Sequence, residues 1–237
     1  MSITIEAAAP KVPELRKAFT YKYSNNIKTG VYDPRDVNRI ETDDAYCRCF
    51  LRTLTSKGDV EKALPVMDEC LKFRKEWEIN DLNENSFPAE IWERNAVYYK
   101  GHTKDGNKIL YINLKENDKK DDEARKMIQK FIAYHFNLHH RETPEKMAVV
   151  LIDMEGASTG NMDMNSVKFI ITCFKIYFPA YLDYMLQYDM PFILTAAWKV
   201  ISALLNKEQA AKIRMIKKGE MKNYLDDDNL KHWPHMQ

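Results

Sequence analysis

The run MAVVLI at residues 147–152 decides the fold class, because a continuous apolar segment of this length is typical of a buried strand. Strands that are apolar at every position occur mainly in parallel sheets whose two faces are covered. Ahead of this run, the segments 96–99 and 109–114 are rich in β-forming residues. They flank the turn sequence KDGN at 104–107, so we predict a β-hairpin there.

Helical patterns alternate with the strands that follow. We predict helices at about 120–140 and 162–177, and a further apolar helix that begins at Pro191. Two more strands are predicted, near 184–188 and at 213–216. This alternation predicts an α/β fold with a mixed, mostly parallel β-sheet.

The first third of the chain carries only helical patterns, over residues 13–78. Asp33 and Asp59 stand where two of these helices begin, because a carboxylate at that position accepts from the free N–H groups of the first turn. We therefore predict two domains, an N-terminal helical subdomain at 1–85 and a sheet-containing lobe at 86–237.

Composition excludes several functional classes. The chain has 237 residues, of which 45% are hydrophobic, and a formal net charge of +1. These values exclude disorder over most of the length and disfavour a dedicated nucleic-acid binder, which needs a basic excess. The longest apolar stretch, 192–205, is shorter than the roughly 20 residues that span a bilayer and contains Lys199. The four cysteines form no CxxC pair, and we interpret them as reduced thiols.

One motif suggests catalysis. The sequence GASTG at 156–160 matches the G-x-S-x-G turn that presents a nucleophilic serine in α/β-hydrolases, and it follows an apolar strand. That mechanism needs a histidine later in the chain, and the candidates are His232 and His235 in a polar tail. A serine hydrolase that acts on lipid esters through Ser158 therefore stays open as an alternative, beside a plain glycine-containing turn.

Two groups of residues have some character of a metal site. Asp153 and Glu155 lie at the end of the central strand, and His135 and His139 are four residues apart on one helix. A zinc or calcium site needs at least a third ligand, and the sequence offers no evident one for either pair. We therefore predict that the chain holds no metal.

The helix that follows Pro191 is the most informative segment. Between 191 and 205 its polar residues form one narrow stripe, and all other positions are apolar. Such a helix is either buried in the core or in contact with lipid. Residues 199–222 carry seven basic side chains against two acidic ones, which suits an anionic membrane interface. Periodicity alone leaves both interpretations open.

The order of these features resembles the CRAL-TRIO family of lipid-transfer proteins. The resemblance rests on CLKFRKEW at 70–77, KDGNKILYI at 104–112, AVVLIDMEG at 148–156 and KIYFPAYLDYMLQYDMPFILTAAWKVISALL at 175–205. It implies a CRAL-TRIO fold, with an apolar lipid pocket over a sheet floor and a mobile gate helix at 191–205.

Further segments resemble one subgroup of that family, whose members continue into a major sperm protein domain and a C-terminal membrane anchor at the endoplasmic reticulum. These segments are YDPRDVNRI at 32–40, NDLNENS at 80–86, DGNKI at 105–109, FIITCFKIYFP at 169–179 and DMPF at 189–192. The resemblance implies peripheral association with the endoplasmic reticulum if the full-length protein carries that anchor.

The resemblance also implies site residues. Headgroup contacts are expected from Ser158, Thr195 and Lys199, although Gly160 and Thr55 depart from the hydroxyl and arginine that phosphatidylinositol-transfer members carry at those positions. The expected pocket and gate residues are Tyr111, Ile152, Phe192, Ile193, Ala196, Trp198, Val200, Ile201 and Leu204.

The sequence and the resemblance together predict a lipid-binding and lipid-transfer module without catalysis. Its expected ligand is one phospholipid, phosphoinositide or other hydrophobic molecule, and no cofactor is expected. It is expected to be a cytoplasmic monomer that docks peripherally on membranes and binds no nucleic acid. A membrane tether without lipid transfer is the remaining alternative. The expected membrane-docking residues are Lys207, Lys212, Lys217 and Lys218.

Overall fold

The computed structural model describes residues 2–117 and 121–237. Among these residues, five strands form one sheet in the order β1-β2-β3-β4-β5. The first pair of strands is antiparallel and the other three pairs are parallel. The predicted hairpin and the predicted mostly parallel sheet are thereby confirmed. The strands are β1 (Val97–His102), β2 (Lys108–Asn113), β3 (Ala148–Asp153), β4 (Leu182–Tyr188) and β5 (Ile213–Ile216).

Helices fill the region before the sheet and the connections between its strands. The predicted helix at 162–177 is an α-helix that ends in a π-helical turn, Cys173–Tyr177. The helix predicted from about 120 begins at Asp122, and position 120 lies outside the described residues. The α-helices are α1 (Ile5–Ala8), α2 (Val12–Lys22), α3 (Ser24–Lys28), α4 (Pro34–Thr42), α5 (Asp44–Leu51), α6 (Val60–Glu76), α7 (Ala89–Glu93), α8 (Asp122–Glu142), α9 (Met164–Thr172), α10 (Thr195–Ser202), α11 (Lys207–Ala210) and α12 (Asp227–Leu230).

The predicted helix starts are set by side-chain caps. The Asp33 carboxylate accepts from the backbone N–H of Arg35 at 2.8 Å, and that of Asp59 accepts from the N–H of Lys62 at 3.1 Å. Each bond satisfies a backbone donor that has no partner within its helix. The helices α4 and α6 therefore begin where the sequence places them.

A buried ion pair joins these same two helices. The Arg74 Nε lies 2.8 Å from Asp36 Oδ1, and both side chains are almost completely enclosed. Two asparagines complete the hydrogen bonding, because the Arg74 guanidinium also donates to Asn80 at 2.7 Å and to Asn137 at 3.0 Å. The Asn80 amide in turn donates to Asp36 at 2.7 Å. Each guanidinium nitrogen of Arg74 and each carboxylate oxygen of Asp36 thus has a hydrogen-bond partner inside the core.

The four cysteines are buried and form no disulfide among the described residues. Burial raises the pKa of the Cys47 thiol to about 11 and that of Cys70 to about 12. Thiols with a raised pKa hold little thiolate at neutral pH and are poor nucleophiles. Their role is therefore apolar packing.

The two faces of the sheet have different surroundings. On one face, alternate residues of the strands pack under the C-terminal segment (residues 221–236). That segment contributes five buried apolar side chains, Met221, Leu225, Leu230, Trp233 and Met236. The sequence pattern around His232 and His235 indicated only a polar tail. The structure shows that this region covers one face of the sheet, which the sequence did not reveal.

The chain divides into two compact units. One contains residues 1–86, 136–146 and 169–181, and the other contains the remainder. The whole sheet and the gate segment (residues 191–205) belong to the second unit. The first unit takes two segments from beyond residue 86, so the assignment of domains 1–85 and 86–237 stays a prediction.

Candidate functional site

The gate segment follows β4 directly and has an inner face that packs. It consists of a short 3₁₀ turn at Phe192–Leu194 and the helix α10. Leu194 is fully buried and Ile201 is 6% exposed. The side chain of Leu194 lies in a cluster of apolar residues from the ends of β2, β3 and β4 and the loops that follow them, namely Leu114, Ile152, Met154, Ala157, Met162 and Met190. This face anchors the gate segment.

The outer face of the same segment is also apolar, but it is exposed to solvent. The exposed fractions are 91% for Phe192, 61% for Ile193, 58% for Val200 and 47% for Leu204. Ala196 and Lys199 are exposed as well, whereas Thr195 and Trp198 are half-buried. The gate segment is thus apolar on both faces, and its outer face buries nothing within the described chain.

The predicted pocket and gate residues fall into three groups. Ile152 and Ile201 lie on the inner side, Trp198 is intermediate, and the exposed group is Phe192, Ile193, Ala196, Val200 and Leu204. Leu194, which the sequence analysis did not select, is the most buried gate residue. The period of an α-helix could have indicated that Leu194, Trp198 and Ile201 share one face.

Tyr111, which was predicted to line the lipid pocket, packs on the face of the sheet that the C-terminal segment covers. It belongs to the cluster under the C-terminal segment, where its ring stacks on Trp233 with centroids 5.6 Å apart. The neighbouring strand residues Leu110 and Ile112 point to the opposite face, because side chains alternate along a strand. The role of Tyr111 as a pocket residue stays a prediction.

Ser158, the serine of the G-x-S-x-G sequence, is held by local hydrogen bonds. Its hydroxyl donates to Asn161 Oδ1 at 2.9 Å and accepts from the backbone N–H of Gly160 at 3.1 Å. Asn161 also accepts from the Ser158 backbone N–H at 2.8 Å. The serine thus closes a turn, and its described hydrogen bonds include no histidine.

Asp153, at the end of β3, forms hydrogen bonds with three described residues. Its Oδ2 accepts from the Tyr111 hydroxyl at 2.7 Å and lies 2.8 Å from His235 Nε2. Its Oδ1 accepts from the backbone N–H of Glu155 at 3.0 Å. Hydrogen bonding therefore uses both carboxylate oxygens, and the group fastens the end of the C-terminal segment to β3.

His235 also supplies the third group that the sequence did not reveal beside Asp153 and Glu155. One potential ligand atom from each of these residues lies within 4.8 Å of the others. Glu155 and His235 are exposed, and Asp153 already has its hydrogen-bond partners. We assign no metal to this arrangement, and the absence of a metal site stays a prediction.

The two helix histidines, predicted to share a face, bind separate backbone carbonyls. His135 Nε2 lies 3.0 Å from the Val97 oxygen, and His139 Nε2 lies 2.9 Å from the Lys146 oxygen. Burial lowers the pKa of His135 to about 4, so its ring is neutral at physiological pH. Both rings therefore fasten chain segments together.

One of the four predicted docking lysines has a role within the sheet. Lys212 donates to the backbone oxygens of Leu182 and Asp183 at 2.5 Å and 3.0 Å, and burial lowers the pKa of its amine. Its role in docking stays a prediction, and these two hydrogen bonds hold the start of β4. The other predicted lysines, Lys207, Lys217 and Lys218, are exposed.

Two arginines near the end of α5, Arg48 and Arg52, lie close to the carboxylate of Glu145. Arg48 forms two hydrogen bonds of 2.7 Å with the Glu145 carboxylate, and Arg52 lies 3.9 Å from the same group. Arg52 belongs to the segment in which Thr55 replaces a family arginine. The described contacts of these two arginines are thus internal.

Comparison with known proteins finds relatives of the part of the chain that contains this site. The family model for the CRAL/TRIO domain matches residues 93–232. Phosphatidylinositol transfer protein CSR1 of Eremothecium gossypii is 30% identical over an aligned length of 181 residues, and the alignment covers 68% of this chain and 40% of that protein. The CRAL-TRIO domain-containing protein C3H8.02 of Schizosaccharomyces pombe is 27% identical over 88 residues, which are 37% of this chain and 20% of that protein.

A solved structure has the same fold. The crystal structure of Sfh5 superposes with a TM-score of 0.65 over 93% of this chain and 84% of that one, at 14% identity. The chain spans about two fifths or less of the two curated relatives. Within the described residues, no helix has both the length and the apolar character that a membrane span requires.

Proposed function

Since the chain belongs to the CRAL/TRIO family, we propose that it binds one lipid molecule behind the gate segment and exchanges it at a membrane surface. The observation that carries this proposal is the gate segment itself, which is apolar on both faces. An inner apolar face suits the acyl chain of a lipid, since enclosure stabilises it by about 0.8 kcal/mol per methylene. An outer apolar face suits the membrane from which the lipid is taken.

The name of the similar protein from Eremothecium gossypii supports phosphatidylinositol as one candidate ligand. We propose Ser158, Thr195 and Lys199 as headgroup contacts, in line with the family resemblance. Gly160 and Thr55 depart from phosphatidylinositol-transfer members, so the proposal extends to other phospholipids and hydrophobic ligands. The chain needs no cofactor for this role, because uptake and release of a lipid break no covalent bond.

Native mass spectrometry of protein purified from cells tests the function directly. We expect one lipid of defined mass per chain, released when the protein is denatured. A chain that purifies without lipid, and takes up no phospholipid, sterol or fatty acid from vesicles, would contradict the proposal. Vesicle binding without lipid uptake would instead favour the tether.

We propose that docking uses the exposed apolar residues of the gate segment together with Lys207, Lys217 and Lys218. Basic side chains near an anionic surface contribute about 1 kcal/mol each, and salt screens this contribution. The contribution of the apolar side chains does not depend on charge and is retained at high salt. The module would act as a cytoplasmic monomer at the membrane surface, and at the endoplasmic reticulum where a longer protein supplies an anchor.

We expect Phe192→Ser to weaken binding to anionic vesicles roughly thirtyfold, because an aromatic side chain moved from water into lipid contributes about 2 kcal/mol. Co-sedimentation with vesicles of phosphatidylcholine and phosphatidylserine measures the effect. Tyr21→Ser is the matched control, since Tyr21 is 87% exposed and lies outside the gate segment. Equal losses for the two variants would mean that the gate segment does not dock.

The hydrolase alternative gives a separate prediction at Ser158. Its hydroxyl donates to an asparagine, which cannot act as a general base, so we expect no labelling by a fluorophosphonate probe. A known serine esterase in the same reaction controls for an active probe. Stoichiometric labelling that disappears in Ser158→Ala would establish the hydrolase in place of the carrier.

A further inference from the structure

Gln187 is a polar residue in an apolar row of the sheet. Register pairs Ile112 with Ile152, Ile152 with Gln187, and Gln187 with Met215. These four side chains therefore form one row across β2 to β5. Leu186 and Tyr188, which flank Gln187 in β4, belong to the cluster under the C-terminal segment. Because side chains alternate along a strand, the row that contains Gln187 lies on the opposite face of the sheet.

The amide of Gln187 has almost no hydrogen bonding with the described residues. The residue is 7% exposed, and its Oε1 is enclosed without a described hydrogen-bond partner. The Nε2 group lies 3.9 Å from Met185 Sδ, which is a weak acceptor. Buried amides are normally hydrogen-bonded, because the loss of contact with water is otherwise uncompensated. The amide of Gln187 therefore points to a partner group that the described residues do not supply.

The row that contains Gln187 is continuous with the packing of the gate segment. Its neighbour Ile152 packs in the cluster around Leu194, the innermost residue of that segment. On its other side, Met215 is 46% exposed. Gln187 thus lies on the floor that we propose for the lipid, between an anchored side and an open side.

We propose that Gln187 binds a hydroxyl group of the lipid. The module thereby selects lipids whose polar headgroup carries a free hydroxyl at the end that is buried in the protein. This inference rests on the proposed lipid-binding function and names the class of its ligand. A hydroxyl donates to Oε1 and accepts from Nε2, so it satisfies both ends of the amide. Lipids that carry neither a hydroxyl nor an N–H group offer only acceptors and leave Oε1 unpaired.

The discrimination is expected to be strong. A site with a buried polar group rejects a ligand that lacks the matching group, because the site's own group is then left without a partner. An apolar site, by contrast, distinguishes lipids mainly by size and shape. Gln187 therefore gives the floor a chemical preference that the surrounding Ile152 and Met215 do not provide.

The test compares the lipids that co-purify with the wild-type chain and with Gln187→Leu, which removes the amide at similar volume. Extracted lipids are treated with acetic anhydride, and tandem mass spectrometry then counts as acetylated only those that gain an acetyl group on oxygen, because primary amines also react. We expect mainly acetylated lipid from the wild type and at least a tenfold lower ratio of acetylated to unreacted lipid from the variant. We also expect the delipidated variant to melt at a higher temperature than the delipidated wild type.

Gln129→Leu is the matched control, because Gln129 is also a buried glutamine but lies 3.5 Å from the Ser166 hydroxyl. We expect this control to keep the wild-type lipid population. An unchanged population in Gln187→Leu at equal occupancy would overturn the role of Gln187 and leave lipid binding intact. Absence of lipid from wild type and variant alike would overturn the proposed function and this inference with it.

Discussion

Asp36→Ala is expected to lower the free energy of unfolding by about 3–5 kcal/mol, because it leaves the buried Arg74 guanidinium without its counter-charge. Arg74 and Asp36 are 1% and 2% exposed in their side chains, so water cannot replace the lost carboxylate. Asn80 also loses the acceptor for its amide, which adds a second unmet donor. Denaturant titration followed by circular dichroism measures the change.

An exposed ion pair in the same region provides the control. Asp81 lies 2.6 Å from Arg35, but its side chain is 60% exposed. We expect Asp81→Ala to cost at most about 1 kcal/mol, since exposed pairs contribute little. The double variant Asp36→Leu with Arg74→Met removes both charges and should recover part of the stability. Equal effects of Asp36→Ala and Asp81→Ala would contradict the view that burial controls the cost.

The fold could be predicted from the sequence because its strongest signals are local. The run 147–152 carries one apolar residue after another, and the structure makes its last five residues part of β3, flanked by parallel strands on both sides. The hairpin at 96–114 follows from a turn sequence between two β-rich segments. Such signals depend on neighbouring residues and need no knowledge of distant contacts.

Contacts between distant residues were not accessible in this way. The pair of Asp36 and Arg74 spans 38 positions, and that of Asp153 and His235 spans 82. Neither carboxylate is distinguished in the sequence from the many that are exposed. Their partners became evident only when the fold brought the segments together, as did the two backbone carbonyls that hold Lys212.

The sequence indicated which segment forms the candidate site, but it did not indicate which side chains of that segment are exposed. The apolar character of residues 191–205 indicated either core or lipid contact, and the structure divides the segment between them. Leu194 packs inward while Phe192, two residues earlier, is 91% exposed. Gln187 was missed for a related reason, since one glutamine in a predicted strand is unremarkable until register places it between Ile152 and Met215.

Trp233→Ala is expected to lower the free energy of unfolding by about 3–5 kcal/mol, the usual cost of removing a large buried aromatic side chain. Trp233 is 1% exposed, and its ring stacks on Tyr111 with centroids 5.6 Å apart. Its Nε1 lies 3.2 Å from the Tyr98 hydroxyl, to which it donates. The residue therefore holds the C-terminal segment to β1 and β2, and its loss leaves a cavity over the sheet.

Trp233→Phe separates the packing of the ring from its hydrogen bond. It keeps an aromatic ring over Tyr111 but loses the donor to Tyr98, so we expect a cost of about 1–2 kcal/mol from the bond and the smaller ring. His232→Ala, at the exposed neighbouring position, should stay within about 0.5 kcal/mol of the wild type. If Trp233→Ala releases the whole C-terminal segment, the denaturant slope also falls, because less surface is buried in the folded state. A cost below about 1 kcal/mol with an unchanged slope would mean that this segment does not stabilise the sheet.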